Sequence, residues 1–588
     1  MGRTSFFVSL LAVANCVAAA PWKGEIKKEH GVTYKCKCYS DNKCWPTGAQ
    51  WAALNTTVSG ALRIARPPGA VCHNNIGNMS TYDASKCSEI TAKWTDEQTM
   101  TDDPIANLWP FYTNNTCLPT TNPSDPCTQG FYGEYVIIAT KKEHIKIGVD
   151  FARDHNLRLI IRNTGHDFMG RSTGYGSLII NTHSFKDATF IKKYTGPGDW
   201  TGSAATVGVG VQGRELYRQA FAQDPKVVIV GGECPTVGWA GGYVQGGGHG
   251  PLSTIYGMGA DNVLSFDAIT AKGEYVTANA EKNPDLFWAL KGGGPSTFAV
   301  LTSVTVKTFP EVPVAGTILN INSTHTNDTK VFDEGFRIFH NLSNHYVENG
   351  MFVYFELQSG RLHIQPFVGP RLNAKQVKEV LKPLFTQLDA KKIPYDTVTK
   401  EFPTFFEFYM DMFEDEIPNQ NSVVGGRLFT QKDIAKNGDE IAKALLFANQ
   451  PTNDTLGFSV GHIVNPGHGN PVVDNAIHPK WRNASSFVIT NILMSGTESW
   501  ELKQIRADQQ TNVVGAALRK AGPDGATYVN EGDLNEPNWQ ESYWGSNYPK
   551  LLQIRKKWDP EGVFYTQTTP GTEDWDVIDY GTKLCKKT

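Results

Sequence analysis

The chain is 588 residues long, 40% hydrophobic and 19% charged, with a formal net charge of -4. That length exceeds what one core serves, so two or more domains are expected. The weak charge gives no electrostatic ground for binding nucleic acid or an acidic membrane surface, and both partner classes are set aside.

Residues 1–20 read as a secretory signal: Arg3, an apolar run from Phe6 to Val17, then Ala18, Ala19 and Ala20. The run is too short to span a bilayer, and no later apolar stretch reaches about 18 residues. Cleavage is expected near Ala19 or Ala20. Eight N-x-S/T sequons, at Asn55, Asn78, Asn114, Asn322, Asn327, Asn341, Asn453 and Asn483, suit a glycosylated secreted product. Of ten cysteines, Cys16 leaves with the signal. Cys36, Cys38, Cys44, Cys72, Cys87, Cys117, Cys127 and Cys585 suffice for four disulfides in an oxidising compartment. Cys234 is left over, either buried and inert or committed to other chemistry.

Residues 21–130 are rich in Cys, Asn and Pro and predict a stapled, loop-rich cap without a core of its own. From 131 to about 310, strand and helix periods alternate: Tyr135–Ala139, helix Glu143–His155, Arg158–Arg162 and Ser177–Asn181. Residues 311–520 predict a second α+β domain on an antiparallel sheet, with strands at Phe352–Leu357, Leu362–Phe367, Phe458–Val464 and Ser486–Met494. Helices are expected there at Asn373–Asp389, Lys432–Asn449 and Glu498–Ala521. The last segment, 521–588, holds a helix over Tyr548–Trp558, and Cys585 is placed to staple it back to the cap.

Three motifs carry chemistry. Gly208 to Gly213 fits G-x-G-x-x-G between the strand Ala205–Val209 and the helix Arg214–Ala222, with Glu233 about twenty residues on. The helix is short and Glu233 adjoins a second glycine stretch, so glycines for close packing are preferred to a nicotinamide site. Arg162-Asn163-Thr164-Gly165-His166-Asp167 leaves a strand into a Gly-rich turn. Successive N–H groups there suit an anion such as pyrophosphate, with Arg162 and Arg171 adding charge; His166 is equally readable as a surface turn residue. Gly231–Asp261 holds eleven glycines, Cys234, Trp239 and Tyr243. Bare backbone with aromatics suits a loop moulded on a large flat ligand better than a flexible linker. No His/Cys/Asp cluster shows metal-ligand spacing.

The Arg162–Asp167 turn, the Gly-Glu-Cys-Pro-Thr-Val-Gly run at Cys234, Lys291–Phe298, His478–Arg482 and Tyr543–Tyr548 with Trp558-Asp559-Pro560 occur in order. Together these motifs resemble the berberine bridge enzyme-like branch of the vanillyl-alcohol oxidase superfamily. The Cys-rich start is similar to secreted fungal members of the isoamyl alcohol oxidase-like type. The resemblance implies an α+β fold: a two-part PCMH-type FAD-binding domain, and a substrate domain whose antiparallel sheet is covered by helices. It implies FAD bonded twice, through the 8α-methyl to His166 and through C6 to Cys234. Asn163, Thr164, Gly165, Asp167, Gly238, Gly241, Gly242, Val300 and Asn547 would join Arg162 around the cofactor. Val237 would stand beside flavin C4a as the gate for oxygen. One residue more than the family pattern separates Cys234 from Gly246, so Val237 and Gly238 compete for that spot.

Oxidising an alcohol needs a base for the hydroxyl proton while hydride passes to flavin N5. Tyr543 matches the family's active-site tyrosine. His462 and His468 are weak candidates to assist it, with a solvent-facing turn role in Pro466–Pro471 preferred. The reading is a secreted, monomeric FAD-dependent oxidase that converts a small alcohol, sugar or secondary-metabolite hydroxyl and reduces O2 to H2O2. The alternatives are a dehydrogenase or ring-forming oxidoreductase on the same scaffold, and a non-catalytic secreted glycoprotein.

Overall fold

The computed structural model describes residues 23–588 apart from 30, 326, 327 and 453, so the signal segment and the sequons at Asn327 and Asn453 lie outside the described residues. Three sheets position the site. The first is built from Leu62–Ile64, Tyr135–Ile138, Leu178–Asn181 and Leu159–Arg162 in that order, the last three mutually parallel. Parallel strands lie covered on both faces, which is why these segments are nearly unbroken runs of Ile, Leu and Val. Helix Lys142–Asp154 makes the crossover and buries Ile145, Val149 and Ala152 on that sheet. The 162–167 turn therefore leaves the carboxyl end of a parallel strand, where ligands sit in open α/β sheets.

The second sheet is antiparallel, in the order Tyr275–Asn279, Val263–Thr270, Ala299–Lys307, Ala204–Gly208 and Ala188–Ile191. The two sheets match the two-part FAD-binding fold. They also decide the G-x-G-x-x-G motif, because its strand is antiparallel to both neighbours and starts no βαβ unit. A Cβ on Gly208 would come 2.5 Å from the Phe185 carbonyl, and one on Gly210 2.1 Å from that of His183. Helix Gly213–Phe221 has its first N–H groups on the carbonyls of Val237 and Pro235. The glycines serve packing.

The third sheet has seven antiparallel strands, Asp396–Phe402, Val314–Asn322, Arg361–Pro370, Phe352–Gln358, Gly457–Ile463, Ala484–Leu493 and Ser422–Thr430. Helices Thr329–Asn341, Ala374–Ala390 and Gln431–Ala448 bury Phe336, Phe339, Leu381, Leu384, Ile441 and Leu445 against it. Its opposite side joins the glycine loop, Trp481 and Tyr528 in the largest core.

The cap is pinned by Cys38–Cys44, Cys72–Cys87 and Cys117–Cys127, and Cys36–Cys585 ties the two ends of the chain together, leaving Cys234 free. It is less loop-like than expected, since helices Gly48–Thr57, Ala84–Ala92 and Glu97–Asp102 all start on side-chain caps. Among the described residues no helix is long and apolar enough to cross a membrane.

Candidate active site

A cleft of about 1200 Å³, including its open mouth, runs between the first two sheets and the glycine loop. Its wall takes in Asn163, Thr164, Gly165, His166, Asp167, Cys234, Val237, Gly238, Gly241, Gly242 and Val300. Residues from two distant motifs thus share one surface. The turn is held from within: Asp167 Oδ2 accepts from the Ser172 N–H at 2.6 Å and its hydroxyl at 2.8 Å, and Gly165 and Gly170 take left-handed φ of +81° and +63°. Asn163 Nδ2 donates to Thr182 Oγ1 at 3.0 Å and to the Val209 carbonyl at 2.8 Å.

Past Cys234, Trp239–Tyr243 forms a wide π-type turn, broken at Gly241 by non-helical backbone angles. The widening lies downstream of Val237 and Gly238, and both line the cleft.

His166 and Cys234 meet at one end. The His166 side chain is 6% exposed, with Nε2 2.5 Å from Thr236 Oγ1 and 3.0 Å from Glu97 Oε1. Thr236 Oγ1 donates to Glu97 at 2.7 Å, so it accepts from Nε2–H of the imidazole. Nδ1 lies 3.9 Å from Glu416 Oε2, and Cys234 Sγ donates to Glu416 Oε1 at 2.8 Å. Burial, then the charges of Glu416, Glu233 and Glu97, pushes the Cys234 thiol well above its usual range. Burial, opposed by His166, lifts Glu416 to about 7.

Further along the wall, His249, Glu531 and Glu233 belong to two buried acid–histidine pairs, the second completed by His462 behind the lining. His249 Nε2 is 3.0 Å from Glu531 Oε2, His462 Nε2 is 3.0 Å from Glu233 Oε1, and the two imidazoles are 4.7 Å apart. Burial lowers the His249 pKa, but the Glu531 carboxylate outweighs it and the net direction is up. His462 stands on the strand Gly457–Ile463 at 1% exposure, which replaces the turn role expected from sequence. His468, in the exposed turn, fits that role.

Three expected site residues lie elsewhere. Arg162 is fully buried and gives its guanidinium to the carbonyls of Met100, Thr101, Ala106, Asn163 and Thr164. It braces the cap and leaves no N–H for a phosphate. Tyr543 is 2% exposed, donates its hydroxyl to the Asp533 carbonyl at 2.6 Å and packs on Trp544, away from the cleft wall. Burial raises its pKa well above the normal range. Asn547 donates to the Ile477 carbonyl at 2.9 Å and so anchors the 475–477 loop. Arg171 does border the cleft, yet its guanidinium is held by the carbonyls of Val529, Gln567 and Thr568.

The cleft fits a large, flat, polar-edged cofactor on its own evidence. Asn163 Oδ1, Tyr243 OH, Gln245 Oε1, His249 Nδ1 and Asn530 Oδ1 are buried without a hydrogen-bond partner, and all five residues line this one cleft. Such atoms cost about 1–3 kcal/mol each unless a ligand satisfies them. A Cβ on Gly242 would meet only Pro295, at 4.0 Å, so bare backbone faces the space.

The comparisons agree with that fit. A family model described as FAD binding domain matches residues 133–279, and one described as Berberine and berberine like matches 527–569. FAD-linked oxidoreductase ZEB1 of Gibberella zeae is 36% identical over 561 residues, 94% of this chain and 95% of that protein. The crystal structure of the VAO-type flavoprotein MtVAO615 from Myceliophthora thermophila C1 superposes with a TM-score of 0.86 at 32% identity, covering 94% of this chain and all of that one. Glucooligosaccharide oxidase from Acremonium strictum, a protein with a 6-S-cysteinyl, 8α-N1-histidyl FAD, shares the fold at a TM-score of 0.62 and 16% identity over 88% of this chain and 98% of its own. The chain belongs to the berberine bridge enzyme-like branch of the vanillyl-alcohol oxidase superfamily, a family of FAD-linked oxidoreductases.

Proposed function

We propose that this protein is a secreted oxidase that removes hydride from a carbon bearing a hydroxyl group, with FAD held by two covalent bonds and O2 as the final acceptor. The observation that carries the reading is the meeting of His166 Nδ1 and Cys234 Sγ on one carboxylate at the end of a cleft fit for a flavin. FAD, when bound, supplies a two-electron acceptor, and two covalent links would hold its ring rigidly.

The residues do the rest. Glu97 and Thr236 orient the His166 ring from its Nε2 side. Gly242 lets backbone approach the ring, Gly238 and Gly241 make room for Asn163 beside it, and Val237 is the gate residue for dioxygen. The hydroxyl proton passes to the Glu531–His249 pair, because it borders the cleft while Tyr543 is closed off by Asp533. A wider cavity opens on Cys234 from the seven-stranded sheet and is lined by Trp109, Phe168, Tyr354, Glu356 and His363. This is the substrate entrance, where aromatic faces and acceptors suit a hydroxylated ring or sugar. The signal segment, the sequons and the four disulfides support export.

Peroxide release from the purified protein, measured across aliphatic, aromatic and sugar alcohols, tests the activity. A flavin that hydroxyl substrates reduce, and that an artificial acceptor but not air then reoxidises, would replace the oxidase reading by a dehydrogenase.

A further inference from the structure

Two carboxylates flank the His166 imidazole, one at each ring nitrogen, and only one of them also reaches the free cysteine. Glu97 is 6% exposed; its Oε1 takes the Thr236 and His166 contacts while its Oε2 has no partner. Glu416 comes from the 413–421 loop of the substrate domain and keeps 29% of its side-chain exposure. It receives the Cys234 thiol hydrogen at 2.8 Å. We propose that Glu416 is the general base for cysteinyl tethering of the flavin, taking the Sγ proton as sulfur bonds to C6, while Glu97 positions His166 for the other tether. This deepens the bicovalent reading above and rests on it.

The step balances with dioxygen as oxidant. The Sγ–H and C6–H bonds break and one Sγ–C6 bond forms. The two protons and two electrons released reduce O2 to H2O2.

The charged and titratable groups facing Glu416 are His166, Cys234, Glu97, Glu233 and Tyr354. Three of these neighbours are acidic or phenolic, and the thiol is itself pushed upward, so Cys234 has little thiolate of its own near neutral pH. A contacting acceptor supplies what the surroundings withhold. The same geometry sets two effects of Glu416 against each other. Its charge disfavours the thiolate, whereas its oxygen accepts the proton. Removing the charge without the shape, by Glu416→Gln, decides which governs.

The experiment uses the full-length purified protein and mass spectrometry of peptides bearing His166 and Cys234. Wild type is expected to carry flavin on both peptides. E416Q is expected to keep the His166-linked flavin, which shows that it folds, while Cys234 stays a free thiol. On aerobic incubation at pH 7 the thioether should form about 10²-fold more slowly than in wild type. The rate should recover as pH rises and the thiol ionises unaided, and Glu416→Asp should rescue part of it. Thioether formation in E416Q at the wild-type rate or faster overturns the assignment. Wild type that holds FAD without a thioether overturns it together with the second tether. Wild type that takes up no FAD refutes the proposed function itself.

Discussion

At the scale of single residues, the site is governed by which side chains are left free and which are tied. Gly238 packs so close to Asn163 that a Cβ would lie 2.0 Å from Oδ1, and Asn163 is fixed through its Nδ2. Gly238→Ala should therefore cost about 1–3 kcal/mol of stability, read as a lower urea midpoint with an unchanged slope; an unchanged midpoint would mean Asn163 yields freely. Tyr543→Phe removes one hydrogen bond to the Asp533 carbonyl, at a cost of about 1 kcal/mol. It should leave flavin content and turnover intact, and a collapse of turnover with full flavin would return Tyr543 to the reaction. Cys234 stood out in the sequence by an odd cysteine count, whereas the strand-end turn left His166 equally readable as a surface residue and only the family resemblance singled it out. Glu97, Glu416 and Glu531 were not legible there, because each reaches the site across a distance in sequence that no local spacing records. Arg162 misled because a cation in a Gly-rich turn looks the same whether it faces a phosphate or, as here, five carbonyls.

At the scale of elements, periodicity located those with one clear face. Helix Tyr548–Trp558 has the expected bounds, and the strands of both alternating regions fall within about three residues of theirs. The expected single helix Glu498–Ala521 instead widens into a π turn at Gln510–Val514, where Gln510 Nε2 donates to Thr490 Oγ1 and Thr511 Oγ1 to Asp533. A tertiary demand of that kind has no counterpart in the 3.6-residue period. Helix Thr329–Asn341 presents a testable feature. His340 is fully buried among Phe336, Phe355 and Phe429, with Nε2 3.1 Å from Ser486 Oγ, and burial lowers its pKa to about 3. Its folded pKa lies below the unfolded value, so unfolding takes up a proton below about pH 6.5, and stability is lost as pH falls through that point. Going from pH 7 to pH 5 should cost wild type about 2 kcal/mol more than His340→Phe. Denaturant midpoints of the two proteins at both pH values check this, and parallel losses would contradict it.

At the scale of the whole molecule, the ends of the chain close on the parts that hold the cofactor cleft. The strand Lys583–Lys587 pairs with Val32–Cys36, and Cys36–Cys585 locks that register. Replacing both cysteines by serine should cost about 2–4 kcal/mol and expose 575–587 to proteolysis and hydrogen exchange before the rest unfolds; uniform protection would show that the strands need no staple. Further in, Trp544 Nε1 donates to the Gly292 carbonyl and Asn547 holds the 475–477 loop, so the C-terminal segment braces the cleft's back wall. This folding brings His166 and Cys234 to one carboxylate, where we propose they anchor one flavin. Acid precipitation followed by peptide mass spectrometry measures it directly. A yellow precipitate in which one flavin joins the His166 and Cys234 peptides is expected. A colourless precipitate, with flavin released to the supernatant and both residues unmodified, would contradict it.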